Sequence, residues 1–156
     1  MNANFQPYEG KEPYIFVSYS HKDSAKVISL LNAMRRAGYR VWYDKGIQAG
    51  RSWADTLAGR IKNCAVFMPL ISSAFADSVY CYDETSYARY NKRAIVPVYL
   101  EKGVQLPPGL DMVLHDFPWL EFLPDRAADA FTQALDMESV CALCKDTPET
   151  RVQEAS

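Results

Sequence analysis

The chain has 156 residues, 49% of them hydrophobic, which suits one ordinary domain with a buried core. Its formal net charge is −2 with acids and bases interspersed, so it lacks the basic stripe that a phosphate backbone requires, and nucleic acid is not an expected partner. The longest apolar run, AVFMPLI at 65–71, is far short of the ~20 residues that span a bilayer, and MNANFQPYEGKEPY has neither a basic start nor an apolar stretch of the secretory kind; no membrane span and a cytoplasmic location are expected.

In chain order, YIFVS (14–18) is a nearly continuous apolar run, the pattern of a strand covered on both faces. Asp23 is placed to cap a helix in which Val27, Ile28, Leu30, Leu31 and Met34 recur at helical spacing, and Gly38 is placed to end it. YRVWY (39–43), rich in β-branched and aromatic residues, reads as a second strand, followed by the polar, glycine-bearing loop DKGIQAGR. Ser52 and Asp55 have capping-box spacing, and Trp53, Leu57 and Ile61 share one face, predicting a helix over 53–62.

CAVFMPLIS (64–72) is the third strand; Ser78 is an N-cap for a helix reaching Lys92, and AIVPVYL (94–100) is the fourth strand. Regular pairing is expected to end near Pro69 and Pro97, because proline donates nothing to a strand ladder. A proline-bearing loop, 103–109, leads to a weak fifth strand at 112–117, and Ala128, Phe131 and Leu135 mark a last helix. Cys141 and Cys144 form a CxxC pair with no second pair and no flanking histidine. They read as helix residues, no metal is expected, and all four cysteines are expected to remain thiols. The layout is one domain over 13–144 between a flexible lead, 1–12, and a polar tail, 145–156.

Repeated βα units with short connections predict an α/β fold, a doubly wound five-stranded parallel sheet of order 2-1-3-4-5 with right-handed crossovers. In that order a ligand crevice opens at the C-terminal ends of strands 1 and 3, where the winding reverses. The lining loops are then Ser18-Tyr19-Ser20-His21 and Ser72 through Glu84. The second contains SVYCYDE (78–84), in which a cap at Ser78 puts Tyr80, Cys81 and Glu84 on one helix face.

No GxGxxG and no GxxxxGK[ST] is present, so hydride transfer and ATP hydrolysis lose their usual signals. Leu70-Ile71-Ser72 stands where a response regulator would carry its phosphorylated aspartate, and His21 and His115 are isolated in sequence. Two readings of Glu84 and Asp83 stand side by side: first-turn acids that complement the helix dipole, or carboxylates presented along the crevice.

Four segments, in order, resemble the Toll/interleukin-1 receptor (TIR) domains, in particular their bacterial NAD-consuming branch: YIFVSYSHKD, GYRVWYDKGIQAGRSW, SVYCYDE and AIVPVYL. The resemblance runs from about Tyr14 to Phe131 and implies a flavodoxin-like sheet over the domain at 13–144. It implies that Glu84 is the catalytic residue of an NAD+ glycohydrolase or cyclase, with Ser78, Tyr80 and Cys81 completing the S-x-[aromatic]-C-x-x-E signature; Tyr80 stands where the family usually has tryptophan. Tyr19 and Ser20 are implied to line the nucleotide site. Trp42 and Asp44 are implied to flank it, and on the residues alone they read equally well as a core side chain and a turn residue. NAD+ enters as a substrate, not a cofactor, and the products are nicotinamide with ADP-ribose or a cyclic isomer. The loop carrying Lys45, Gly46, Ile47 and Gly50 is implied to mediate self-association with other TIR domains in bacterial defence signalling. The alternative is an adaptor that acts by TIR–TIR association without chemistry, and it has no need of Glu84.

Overall fold

The computed structural model describes residues 5–46 and 50–146. β1 (Ile15–Ser18) is buried along its whole length and lies between β2 (Val41–Tyr43) and β3 (Val66–Ile71), parallel to both. The strand path is β2-β1-β3-β5-β6, where β5 is Val98–Tyr99 and β6 is Leu120–Glu121, with β4 (Ala94–Ile95) pairing beside the start of β3. Counting β4 and β5 as one strand broken at Val96-Pro97 gives the expected order 2-1-3-4-5.

Both prolines act on the ladder as their missing N–H requires. Pairing of β3 with β1 ends at Ser18 opposite Pro69, and β3 then continues against β5 through Leu70 and Ile71. The reading of 112–117 as the fifth strand is corrected. That segment begins inside α5 (Pro108–Leu114), a helix opened by proline at its first position, and the outer strand is the later β6.

Side chains alternate across the sheet. Ile15 and Val17, with Val66 and Met68, face a core built on α1 (Ser24–Arg36) and α6 (Ala128–Asp136). Phe16, Phe67 and Ile71 face the opposite way, toward α2 (Arg51–Asn63), α4 (Val79–Tyr90) and α5. Two short helices, α3 (Ser73–Ala76) and α7 (Ser139–Ala142), and a 3-10 turn at His21–Asp23 complete the described elements.

Helix ends differ in part from expectation. Gly38, at φ 97°, follows α1 as foreseen, but Asp23 makes no side-chain cap; its carboxylate instead accepts from Ser72 Oγ and ties the two crevice loops together. The capping box at Ser52 and Asp55 does not form, because α2 already begins at Arg51 behind Gly50. In the segment read as a flexible lead, the Tyr8 N–H donates to the Val41 carbonyl at 2.9 Å, and Phe5 packs edge-on to Tyr43. In the tail, Asp146 is buried and accepts from Arg40 Nη1 at 2.6 Å. Cys141 and Cys144 are fully buried.

Candidate active site

Where β1, β2 and β3 end, the loops that follow them and the starts of α2 and α4 enclose a cavity of about 430 Å³, the size of a small-ligand pocket. Ser78, Tyr80, Cys81 and Glu84 form one side, Tyr19, Ser20 and His21 another, and Asp44 and Gly46 sit at the rim beside Gly50, Trp53, Ala54 and Leu57 of α2 and its approach.

The phase of α4 is set at its first residue. Ser78 is extended (φ −94°, ψ 118°) and its hydroxyl accepts from the Cys81 N–H at 3.2 Å, an N-cap of the ordinary kind. Cys81 and Glu84 therefore share the inward face, with Cys81 only 3% exposed, whereas Tyr80 stands at the mouth, 83% exposed. Burial pushes the Cys81 thiol up to about 12, aided by the charge of Glu84 and opposed by Ser78 and Ser18. Such a group is a poor thiolate nucleophile.

Glu84 is the chemically distinctive residue. Its Oε1 accepts from Ser18 Oγ at 2.7 Å, across from the end of β1. Burial pushes its carboxyl up to about 7, the charges of Asp44 and Asp83 add to this, and the Ser18 hydrogen bond and His21 oppose it. A first-turn acid on a solvated helix would not be desolvated in this way.

The rim is a linked set. The Tyr19 hydroxyl donates to the Asp44 carbonyl, joining the ends of β1 and β2, and burial raises the Tyr19 phenol. Ser20 caps the 3-10 turn at His21–Asp23. Asp44 Oδ1 accepts from the Gly46 N–H at 2.8 Å, and its Oδ2 lies 3.8 Å from His21 Nε2. Burial would raise the Asp44 carboxyl, but the neighbouring His21 ring, the Gly46 N–H and Trp53 outweigh it and hold the carboxyl low.

Of the residues singled out from sequence, Tyr19, Ser20, Asp44, Gly46, Gly50, Ser78, Tyr80, Cys81 and Glu84 meet around this one cavity. Trp42 does not line it. It is 2% exposed, stacked between Phe16 at 5.0 Å and Trp53 at 5.9 Å. Lys45 points to Gln6, and Ile47 lies outside the described residues.

Trp53 and Leu57 belong to the cavity without having been named as site residues, and His21, placed in a lining loop by the topology, had no role of its own assigned. The signal for His21 was its place in the loop after strand 1. Trp53 had been assigned only to a helix face, and nothing in its spacing separates a core residue from a cavity wall.

The family profile described as TIR domain matches residues 15–135. A probable 2′ cyclic ADP-D-ribose synthase, BdTIR, of Brachypodium distachyon is 22% identical over 90 residues, covering 56% of this chain and 40% of that protein. The uncharacterized protein y4lF of Sinorhizobium fredii (strain NBRC 101917 / NGR234) is 32% identical over 75 residues, 46% of this chain and 23% of that one. The chain thus spans less than half the length of either relative. Among solved structures, the TIR domain of the Toll-related receptor TRR-2 of Hydra magnipapillata superposes with TM-score 0.64 at 18% identity, covering 81% of this chain and 96% of that chain. The Clostridium botulinum CMP N-glycosidase BcmB gives 0.54 at 16% identity, with 80% and 98% covered. The TIR domains of the activated Roq1 resistosome, which recognises the pathogen effector XopQ, give 0.51 at 18%, with 85% and 83% covered.

Proposed function

The chain belongs to the TIR domain family, and from that premise we propose that it cleaves the nicotinamide–ribose bond of NAD+, releasing nicotinamide and ADP-ribose or a cyclic ADP-ribose isomer. The observation that carries the reading is Glu84, a desolvated carboxyl held by Ser18 and facing a cavity of about 430 Å³. The names of two similar proteins, a probable 2′ cyclic ADP-D-ribose synthase and a CMP N-glycosidase, support ribosyl chemistry in this fold.

One carboxylate suffices for this bond. Most glycosidases need a second carboxyl group to protonate a poor leaving group. The nicotinamide of NAD+ is already a pyridinium and departs with its electron pair as a neutral base. The ribose left behind is cationic, and an ionised Glu84 facing it stabilises that charge. Because the isolated carboxyl titrates near 7, the positive charge of the bound substrate also favours its ionised form. Tyr80 and Trp53 offer ring faces against which the nicotinamide or adenine can lie. Water as acceptor yields ADP-ribose; a hydroxyl or ring nitrogen of the substrate itself yields a cyclic product.

Activation is part of the proposal. Tyr80, a wall of the cavity, is 83% exposed, and the loop after β2 begins at the rim. Self-association through that loop would cover the mouth and exclude water. Association without chemistry, the competing reading, gives no role to a desolvated Glu84. Nicotinamide release by the purified chain, set against Glu84→Gln, tests the assignment.

A further inference from the structure

NAD+ carries charges of opposite sign along its length. The nicotinamide end is a pyridinium cation, the pyrophosphate at the centre is anionic, and the adenosine end is neutral. Among the described residues around the cavity of about 430 Å³, the acidic and basic side chains are Glu84, Asp44 and His21. Two carboxylates suit the cationic ribosyl end and repel phosphate, so the rest of the dinucleotide has to lie beyond the rim.

A second cavity, of about 370 Å³, adjoins that rim. It shares Asp44 and Trp53 with the first, so these two side chains stand between the two spaces. Its far wall is the chain segment before β1, through Gln6, Pro7 and Glu9, and Thr56 of α2 forms a third side. That wall is pinned in place. The Tyr43 hydroxyl donates to the Phe5 carbonyl, the Tyr8 N–H donates to the Val41 carbonyl at 2.9 Å, and Glu9 pairs with Arg60 of α2. The space is therefore built by the fold itself. Trp53, stacked on Trp42 at 5.9 Å between centroids, offers a nucleobase a braced aromatic face.

Lys45 is the one lysine or arginine among the described residues that line either cavity. Its ammonium donates to the side-chain oxygen of Gln6, a neutral acceptor, and that contact leaves its charge for an anion. The neighbouring Asp44 carboxylate is engaged by the Gly46 N–H at 2.8 Å and faces His21 at 3.8 Å. Building on the proposed NAD+ cleavage, we infer that the second cavity holds the adenosine half of the dinucleotide, with Lys45 on the pyrophosphate. The cationic ribose then lies against Glu84, the phosphates cross the rim beside Lys45, and the adenine rests on the Trp53 side of the partition.

A substrate without the adenosine half tests this. kcat/KM is measured for NAD+ and for nicotinamide riboside, which has the same scissile bond but neither phosphate nor adenosine, in wild type, Lys45→Met and Thr56→Trp; the tryptophan fills the second cavity from α2. The ratio of NAD+ to nicotinamide riboside efficiency is expected to fall at least ~10-fold in both variants, the scale of a lost charge-assisted contact. An unchanged ratio, whether both substrates weaken together or neither does, overturns the subsite. Calorimetric binding of AMP gives a readout independent of catalysis: wild type is expected to bind it, and both variants to bind it at least ~10-fold more weakly. Equal AMP binding by all three proteins, or none by wild type, also overturns the subsite. Absence of Glu84-dependent nicotinamide release, alongside AMP binding that depends on Lys45, would overturn the NAD+ reading and leave the nucleotide subsite standing.

Discussion

Ser18 and Glu84 lie 66 positions apart in sequence and meet at 2.7 Å, hydroxyl to carboxylate, where the end of β1 faces the first turns of α4. The hydroxyl lowers a carboxyl that burial has raised to about 7. In Ser18→Ala the carboxyl loses the hydrogen bond from the Ser18 hydroxyl, and its titration moves upward. The acid limb of the kcat/KM profile for NAD+ is therefore expected to shift to higher pH in the variant, with activity recovering toward wild type in alkaline buffer. A profile superimposable on wild type would dissociate Ser18 from the ionisation that matters.

The same raised carboxyl makes a statement about stability. Glu84 ionises near 4.5 in the unfolded chain and near 7 in the folded one, so between those values the folded state binds more protons. Its contribution to stability is complete below 4.5 and is lost as pH rises through 7, a change of about 3 kcal/mol. Glu84→Gln removes that dependence. Urea denaturation is expected to show the variant gaining on wild type by about 3 kcal/mol between pH 4 and pH 8; parallel pH curves for the two proteins would mean that the carboxyl is not desolvated.

The two tryptophans at the α2 side of the site are expected to separate stability from binding. Trp42→Ala opens a hole beside Phe16 in the core and should cost about 3–5 kcal/mol. Trp53→Ala removes a cavity wall and is expected to act mainly on KM for NAD+. Thermal melts and kinetics on both variants check this, and the reverse pattern would exchange their roles.

Much of this arrangement was legible in the sequence because its signals are local. The apolar run of β1, the helical period of α1, Gly38 after it and Ser78 before α4 each act within a few residues, and their order dictates where the crevice opens. The misreadings come from segments whose structure depends on partners. Met112, Val113 and Leu114 are apolar enough for a strand but follow Pro107-Pro108, which favours a helix start. β6 has only Leu120 and Glu121, too short for any period to register. Trp42 and Trp53 look alike on composition, and only the packing decides that one is sealed behind the other. The proximity of His21 to Asp44 is likewise a product of the parallel pairing of β1 with β2, which no local spacing encodes.

Self-association leaves a signature in concentration. If a neighbouring domain must cover the mouth near Tyr80, nicotinamide release per molecule is expected to rise with protein concentration and to flatten in Ile47→Asp, where an unpaired carboxylate would have to be buried. Constant specific activity across a wide dilution series would instead describe a self-sufficient monomer.

The central claim is that Glu84 breaks the nicotinamide–ribose bond, and the direct measurement is nicotinamide release from NAD+ by wild type and Glu84→Gln at the highest attainable protein concentration, with circular dichroism confirming that both are folded. Release by wild type and a loss of at least ~100-fold in the variant is the expected result, as removal of the charge facing the ribosyl cation requires. Equal release by the two proteins, or none by wild type, would contradict it.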